Sequence, residues 1–200
     1  MGSSQKIVSG VLWSTLFNLV NAAYNFVAVP ILIGHFGKSQ YGLIGLAMSI
    51  NVYMRLMDMG FNSTNVRFFS TWLTEHNYDK VLKAFQTSLS FYGFIGLLNG
   101  VILLSISFFS YHIFNVTPEQ DVILKHLFYI LAVVAFCNWF SSCFDQLIKA
   151  TENVAWIQRL QMIPKALQML ILIATILLDL NIETYFIFTC LATLTIIPLS

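Results

Sequence analysis

Long apolar stretches separated by short polar segments dominate the hydrophobic pattern of this chain. Because an α-helix rises about 1.5 Å per residue, roughly 20 apolar residues are needed to cross the hydrocarbon core of a bilayer. Six stretches qualify, and they predict membrane-spanning helices at about residues 7–34, 41–66, 84–112, 126–148, 157–178 and 184–200. The pattern predicts an all-α, polytopic membrane helical bundle that forms a single transmembrane domain over residues 1–200.

The composition and the short motifs narrow the class of protein. Apolar residues make up 58% of the chain and charged residues only 10%, whereas about a quarter of the residues of a soluble domain are charged. The three cysteines all lie in apolar stretches, which suggests buried side chains and neither a disulfide framework nor a metal site. No phosphate-binding loop, metal-ligand spacing or serine-histidine-aspartate pattern is present in the sequence. We therefore expect a transporter rather than an enzyme, without a cofactor and without a nucleic-acid partner.

The positions of the charges predict the orientation of the spans. If the spans alternate, one side of the membrane carries Lys6, Arg67, Lys80, Lys83, Lys149 and Arg159, and the other carries Lys38 and Lys125 beside Glu119, Asp121, Asp179 and Glu183. Cytoplasmic flanks are enriched in lysine and arginine, so the N-terminus is expected in the cytoplasm. The sixth span runs to Leu199 and Ser200 without a charged flank. We expect the N-terminal part of a longer transporter, or a short protein that dimerises.

Two ionisable residues, Arg55 and Asp58, lie inside the second predicted span. A charge at membrane depth is costly, and it usually faces a water-filled cavity or a partner charge. Because the two residues are three positions apart on one helical face, a structural ion pair is the alternative to a functional role.

Polar side chains recur at helical spacing in three other spans. They are Ser14, Asn18, Asn21 and Asn25 in the first span, Asn138, Ser141, Ser142, Asp145 and Lys149 in the fourth, and Gln158, Gln161, Lys165 and Gln168 in the fifth. Amides and hydroxyls can simply hydrogen-bond between helices and hold a bundle together. The charged members of these stripes, Asp145 and Lys165, are harder to explain in that way, so we expect the stripes to face a polar cavity.

Counting along the helices places two cations at similar depth. Arg55 lies roughly 21 Å from Tyr41 at the outer end of the second span, and Lys165 lies roughly 20 Å from Leu178 at the outer end of the fifth. Two neighbouring cations gain from an anionic guest, and a guanidinium suits phosphate oxygens. The alternative for Lys165 is that its long side chain extends to the inner membrane surface.

Short motifs in these segments resemble a known family. The segment VPILIGHFGKSQYGLIGL, with Gly37, Tyr41 and Gly42, and the segment SINVYMRLMDMGFNSTNVRFFS, with Asp58, Gly60 and Arg67, are similar to the N-terminal part of Wzx-type polysaccharide repeat-unit flippases, which move O-antigen and capsule units. The segment KATENVAWIQRLQMIPKALQML, with Gln158, Arg159 and Gln161, resembles the connection between the fourth and fifth spans of that family. Lipid II flippases and multidrug exporters of the same superfamily share the pattern.

The resemblance implies a two-lobed transporter, of which these six helices form the N-terminal lobe around a central cationic cavity. Its expected cargo is an undecaprenyl-diphosphate-linked oligosaccharide, moved by alternating access from the cytoplasmic to the outer leaflet of a bacterial inner membrane for surface-polysaccharide synthesis. A polysaccharide polymerase and a chain-length regulator are expected partners, beside the lipid bilayer, and Na⁺ or H⁺ is an expected coupling ion.

From the charge of each side chain, its depth along the span and the helical face on which it lies, we then assign candidate roles to nine residues. Arg55 and Lys165 are candidates for attracting the diphosphate; the candidates for binding sugar hydroxyls are Asn18, Asn21, Asn25, Gln161 and Gln168; the candidates for ion pairs or coupling-ion binding are Asp58 and Asp145.

Two other functions stay open at this stage. A cation-coupled multidrug exporter predicts a cavity of carboxylates and aromatic residues, whereas spans one, two and five offer a surplus of positive charge. A non-transporting scaffold of a glycan-assembly complex would need none of the charges inside the spans. A channel is disfavoured because no pore loop repeats between spans.

Overall fold

A computed structural model describes residues 3–58, 60–151 and 154–195, leaving the side chains of residues 3–7, 55, 57 and 154 outside the description. Within these ranges the chain is helical. The α-helices are α1 (Ser3–Met54), α2 (Phe61–Thr74), α3 (Tyr78–Phe114), α4 (Pro118–Ala150), α5 (Val154–Leu177) and α6 (Ile182–Leu194), and a 3₁₀ turn, Arg55–Asp58, joins α1 to α2. The all-α prediction is confirmed for these ranges.

Four helical segments of the described chain are long and apolar enough to cross a membrane, which indicates a membrane-embedded helical bundle. They are Val8–Met54, Tyr78–Phe114, Pro118–Ala150 and Ala155–Leu177, while α6 is apolar but shorter. The outer surface of the bundle is apolar, as a lipid-facing surface must be. Leu19, Phe26, Phe94, Phe108 and Leu177 are among the large apolar side chains exposed there. The predicted sixth span, 184–200, extends beyond residue 195 and so partly outside the described residues.

The first two predicted spans both begin in α1, which breaks at Gly37 (φ 81°, ψ 159°). The second predicted span is not one regular helix. It consists of the end of α1, the 3₁₀ turn and the start of α2, which follows the left-handed Gly60 (φ 80°). Pro30 and Pro164, by contrast, lie within helices that continue past them.

Helices α3 and α4 form an antiparallel hairpin. The turn between them is fixed by a capping box, in which the Thr117 hydroxyl accepts from the Gln120 backbone N–H and the Gln120 side chain accepts from the Thr117 N–H. Contacts along the hairpin pair Ser110 with Asp121, Gly96 with Phe136, and the Phe85 carbonyl with the Cys143 thiol. Helix α4 also contacts α1, α2, α5 and α6, so it is the central helix of the bundle.

Three connections meet at one end of the bundle, as alternation of the spans predicts. His35 lies 3.6 Å from Asp179, and His126 lies 3.0 Å from Glu183. The Gln120 amide donates to Ser39 Oγ at 2.6 Å, which ties the α3–α4 turn to α1 just after its break. The region following Gly37, the α3–α4 turn and the α5–α6 turn therefore share an end of the molecule.

A polar cavity as the candidate functional site

A polar cavity of about 520 Å³ lies among helices whose outer surfaces are apolar. That volume is within the range of ordinary ligand pockets. Side chains from α1, the 3₁₀ turn and all the later helices line it: Phe17, Asn21, Asn51, Asp58, Asn62, Tyr92, Ala135, Asn138, Trp139, Ser141, Ser142, Asp145, Gln161, Pro164, Lys165, Gln168 and Thr193. Polar groups from distant parts of the sequence thus converge in the interior of the bundle.

Lys165 supplies a cation to the cavity. Its Nζ donates to Gln168 Oε1 at 3.0 Å, and it lies 4.3 Å from the centre of the Tyr24 ring. Because an ammonium is attracted to the face of an aromatic ring, these contacts hold the charge inside the bundle. The ammonium therefore lies at the cavity wall beside Gln168 and Tyr24.

Two carboxylates, Asp58 and Asp145, also line the cavity. Asp58 Oδ1 accepts a hydrogen bond from the Tyr92 hydroxyl at 2.7 Å. Asp145 interacts electrostatically with Lys149, one helical turn further along α4. The described lining therefore contains two anions and one cation, and the positive surplus that we expected is absent from it. The Arg55 guanidinium, which belongs to that expectation, lies outside the described side chains, as does any pair that it forms with Asp58.

Amides make up the largest polar group of the lining. Six of them face the cavity: Asn21, Asn51, Asn62, Asn138, Gln161 and Gln168. Each amide offers both donors and an acceptor. Ser141 and Ser142 donate their hydroxyl protons to the Asn138 carbonyl within α4, at 3.1 and 2.9 Å, so they present acceptor lone pairs to the cavity. This surface can hydrogen-bond many hydroxyl groups at once.

The structure brings six of the nine predicted site residues to this cavity. They are Asn21, Asp58, Asp145, Gln161, Lys165 and Gln168. Asn18 and Asn25 are exposed and are absent from the lining. At 100° per residue, Asn18 and Asn25 lie on nearly the same line of α1, about 70–90° from the face that turns inward with Phe17 and Ala28. Asn21 lies at the edge of that inward face. The binding roles of all nine residues stay predictions.

Several functional candidates were missed by the sequence analysis. Within the second predicted span, Asn51 and Asn62 lie seven and four positions from Asp58, and this helical spacing in the sequence could have identified them. Tyr92 carries no comparable signal, because its apolar neighbours make it look like an ordinary core residue. Its place at the cavity wall follows from the packing of α3 on α4.

Within the described residues no group of three or more histidine, cysteine, aspartate or glutamate side chains could hold a metal ion. Comparison of the chain with protein-family models, with curated proteins and with solved structures finds no match.

Proposed function

We propose that this chain is the N-terminal lobe of a flippase for lipid-linked oligosaccharides, which it moves between membrane leaflets by alternating access. The observation that carries the proposal is the polar cavity, in which six amides and the Lys165 ammonium lie inside a bundle with an apolar exterior. Polar groups at membrane depth are expensive, and they are typical of a substrate path. The motif resemblance to the Wzx-type flippases supplies the substrate class.

In the proposed mechanism the bundle provides a polar path for a headgroup that lipid tails would exclude. Lys165, together with Arg55, attracts the diphosphate, and the amides exchange hydrogen bonds with sugar hydroxyls. Asn18 and Asn25 are exposed on α1, where contact with lipid would leave their amides unsatisfied. A second lobe facing α1 would satisfy them, which fits a two-lobed transporter in a bacterial inner membrane. Transport is driven by an ion gradient or by the cargo's own flux, without chemistry on the cargo.

A second candidate is a cation-coupled multidrug exporter. Asp58 and Asp145 in the lining, with Tyr92 and Trp139 beside them, favour it, because carboxylates and aromatic rings recognise organic cations. The two candidates differ in the residue on which transport depends. A glycan diphosphate requires Lys165, whereas an organic cation is repelled by it.

The test is complementation of a bacterium that lacks its own repeat-unit flippase and makes the matching repeat unit. We expect the full-length gene product to restore surface polymer. Lys165→Ala and Arg55→Ala should each lower polymer about tenfold or more at unchanged protein level, since a charge-assisted contact contributes about 1.5–3 kcal/mol. Lipid-linked repeat units should accumulate in the cytoplasmic leaflet. Lys83→Ala, an exposed lysine of α3, is the matched control and should restore polymer fully.

Other results would contradict the proposal in distinct ways. Full polymer with Lys165→Ala removes that residue from the cargo path. An inserted wild-type protein that restores no polymer, but confers resistance to organic cations, supports the exporter. Normal polymer in variants that replace all the charges lining the cavity supports a scaffold without transport.

A further inference from the structure

A chain of hydrogen bonds connects the cavity carboxylate Asp58 to the interior of the bundle. The Tyr92 hydroxyl donates to Asp58 Oδ1 at 2.7 Å, and Gln146 Nε2 donates to the Tyr92 oxygen at 2.8 Å. Asn65 Nδ2 donates to Gln146 Oε1 at 2.9 Å and to Ser88 Oγ at 2.8 Å. Four separate segments contribute: the 3₁₀ turn, α2, α3 and α4. The chain therefore joins the cavity to the packing of three helices.

The members of this chain behind Asp58 are buried. Tyr92 and Gln146 are 0% exposed, Ser88 is 1% exposed and Asn65 is 8% exposed. A buried polar group without a partner costs free energy, whereas a fully paired network favours one arrangement of its members. Because every one of these four side chains has a partner, the network is rigid at the point where it reaches Asp58.

The carboxylate dictates the direction of every bond in the chain. An ionised carboxylate can only accept, so the single proton of the Tyr92 hydroxyl goes to Asp58. The Tyr92 oxygen is then an acceptor for Gln146, which must present its N–H₂ group. The oxygen of Gln146 consequently faces Asn65, which must donate in turn. If any one amide were reversed, the chain of hydrogen bonds would break. The network therefore requires a hydrogen-bond acceptor at position 58.

The backbone at Asp58 makes such support necessary. Asp58 ends a 3₁₀ turn between α1 and α2, and Gly60 follows in a left-handed conformation. The helical hydrogen-bond ladder is interrupted there, so the backbone alone does not hold the side chain in place. Asp145, the other carboxylate of the cavity, lies in the middle of α4 and has a regular helical backbone.

We infer that Tyr92, Gln146 and Asn65 are positioning residues for Asp58. They hold its carboxylate at the cavity wall with Oδ1 engaged by Tyr92, and the remaining acceptor sites of the carboxylate receive a hydroxyl of the cargo. This inference rests on the proposed function for the identity of the cargo and on the hydrogen-bond geometry for the positioning. In this arrangement Asp58 accepts hydrogen bonds from hydroxyl groups of the cargo, and Lys165 binds its anionic headgroup.

The first experiment is a double-mutant cycle in the complementation assay. Tyr92→Phe removes the hydroxyl and keeps the ring, and it should lower translocation about tenfold. In an Asp58→Ala background, where no acceptor remains at position 58, the same change should cost less than about twofold, because a residue that acts only through Asp58 has little left to position. If the fold-changes of the two substitutions simply multiply, as they do for independent residues, the inference is overturned. Tyr129→Phe, an exposed tyrosine of α4, is the matched control and should leave translocation unchanged.

The second experiment tests the direction of the chain. Gln146→Glu keeps the size of the side chain and replaces its N–H₂ donor with an acceptor, which leaves the Tyr92 oxygen without its donor. Translocation should fall about tenfold, as for Tyr92→Phe. Gln86→Glu introduces the same chemical change at an exposed position of α3 and should have no effect. Full translocation with Gln146→Glu would show that the buried glutamine only fills space, against the inference.

A third readout separates this inference from the proposed function because it needs no cargo. Tyr92→Phe should lower the melting temperature of the purified protein. In an Asp58→Ala background the same substitution should lower it by less than about half as much. An additive melting cycle overturns the positioning inference and leaves the flippase proposal standing. A coupled melting cycle in a protein that restores no polymer supports the positioning and overturns the glycan cargo. If Asp58→Ala removes all translocation, the test consists of the coupled melting cycle together with the loss of translocation in Tyr92→Phe.

Discussion

Gly37 determines where the first helical segment of α1 ends. Its φ of 81° and ψ of 159° lie in a region that is almost restricted to glycine, and a side chain there costs about 1–3 kcal/mol. An added Cβ would meet no atom within 4 Å at Gly37, so any penalty comes from the backbone alone. Helix α1 is thereby divided into two helical segments at one residue.

The backbone conformation of Gly37 predicts that replacement by alanine affects stability differently at two glycines of α1. Gly37→Ala should destabilise the purified protein by about 1–3 kcal/mol. Gly34→Ala, in regular helix and also with nothing within 4 Å, should be neutral or stabilising by up to about 1 kcal/mol, because alanine favours helix over glycine. Thermal melting of both variants in detergent measures the difference. Equal melting temperatures would mean that the break does not depend on Gly37.

Contacts of single residues also explain how charged side chains are stabilised inside a bundle with an apolar exterior. Lys165 has an amide acceptor and an aromatic ring beside it, and Asp58 has a tyrosine hydroxyl. These two charged groups of the cavity wall thus have local compensation for the water that they lose. The cost of placing these groups in the bundle is lower than for isolated charges.

At the scale of elements, the hairpin of α3 and α4 forms the wall against which the cavity is built. The two helices approach closely at Gly96, where an added Cβ would lie 3.2 Å from Phe136 Cδ2 and 3.2 Å from Trp139 Cβ. Small residues permit such close approach in membrane bundles. Trp139 continues into the cavity lining, so this contact connects helix packing to the shape of the site.

We expect Gly96→Ala to push α3 and α4 apart and to destabilise the protein by about 1–3 kcal/mol, as overpacking does. Gly93→Ala, one turn earlier with nothing within 4 Å, is the control and should be neutral. Melting temperature measures the effect on packing, and complementation measures the effect on the cavity. A Gly96→Ala protein as stable as Gly93→Ala would show that the hairpin can shift without cost.

At the scale of the whole molecule, polarity is arranged in the reverse of a soluble protein. Large apolar side chains face outward, while amides, carboxylates and an ammonium converge inside. The connections near Gly37, Thr117 and Asp179 meet at one end, and the acidic residues Glu119, Asp121, Asp179 and Glu183 lie in or beside these connections. The orientation that we propose places this end outside the cytoplasm.

Cysteine labelling tests that orientation. In a protein whose native cysteines are replaced, Glu119→Cys should react with a membrane-impermeant maleimide added from the periplasmic side. Lys80→Cys should react only after the membrane is broken, because its side of the bundle carries most of the lysines and arginines. Both positions are exposed, so burial does not bias the comparison. The reverse pattern would place the N-terminus outside the cytoplasm.

Much of this architecture could be predicted because it depends on local sequence. The number and limits of the apolar stretches follow from hydropathy, and the polar stripes of α4 and α5 follow from helical spacing. Four of the five predicted spans that lie wholly within residues 1–178 correspond to long helical segments, and Asn138, Asp145, Gln161 and Lys165 face the cavity at which their spacing pointed.

Other features were decided only by the tertiary structure. The stripe of asparagines on α1 does not specify the rotation of that helix, and packing turns Asn21 inward while Asn18 and Asn25 stay exposed. The hydrogen-bond partner of Asp58 is 34 positions away in the sequence, and the two partners of Asn65 are 23 and 81 positions away. Helical periodicity describes one face of one helix, whereas the pairing of faces depends on how α2, α3 and α4 pack against each other. The sequence alone thus determined which polar residues lie within the apolar stretches, and the fold determined which of them meet.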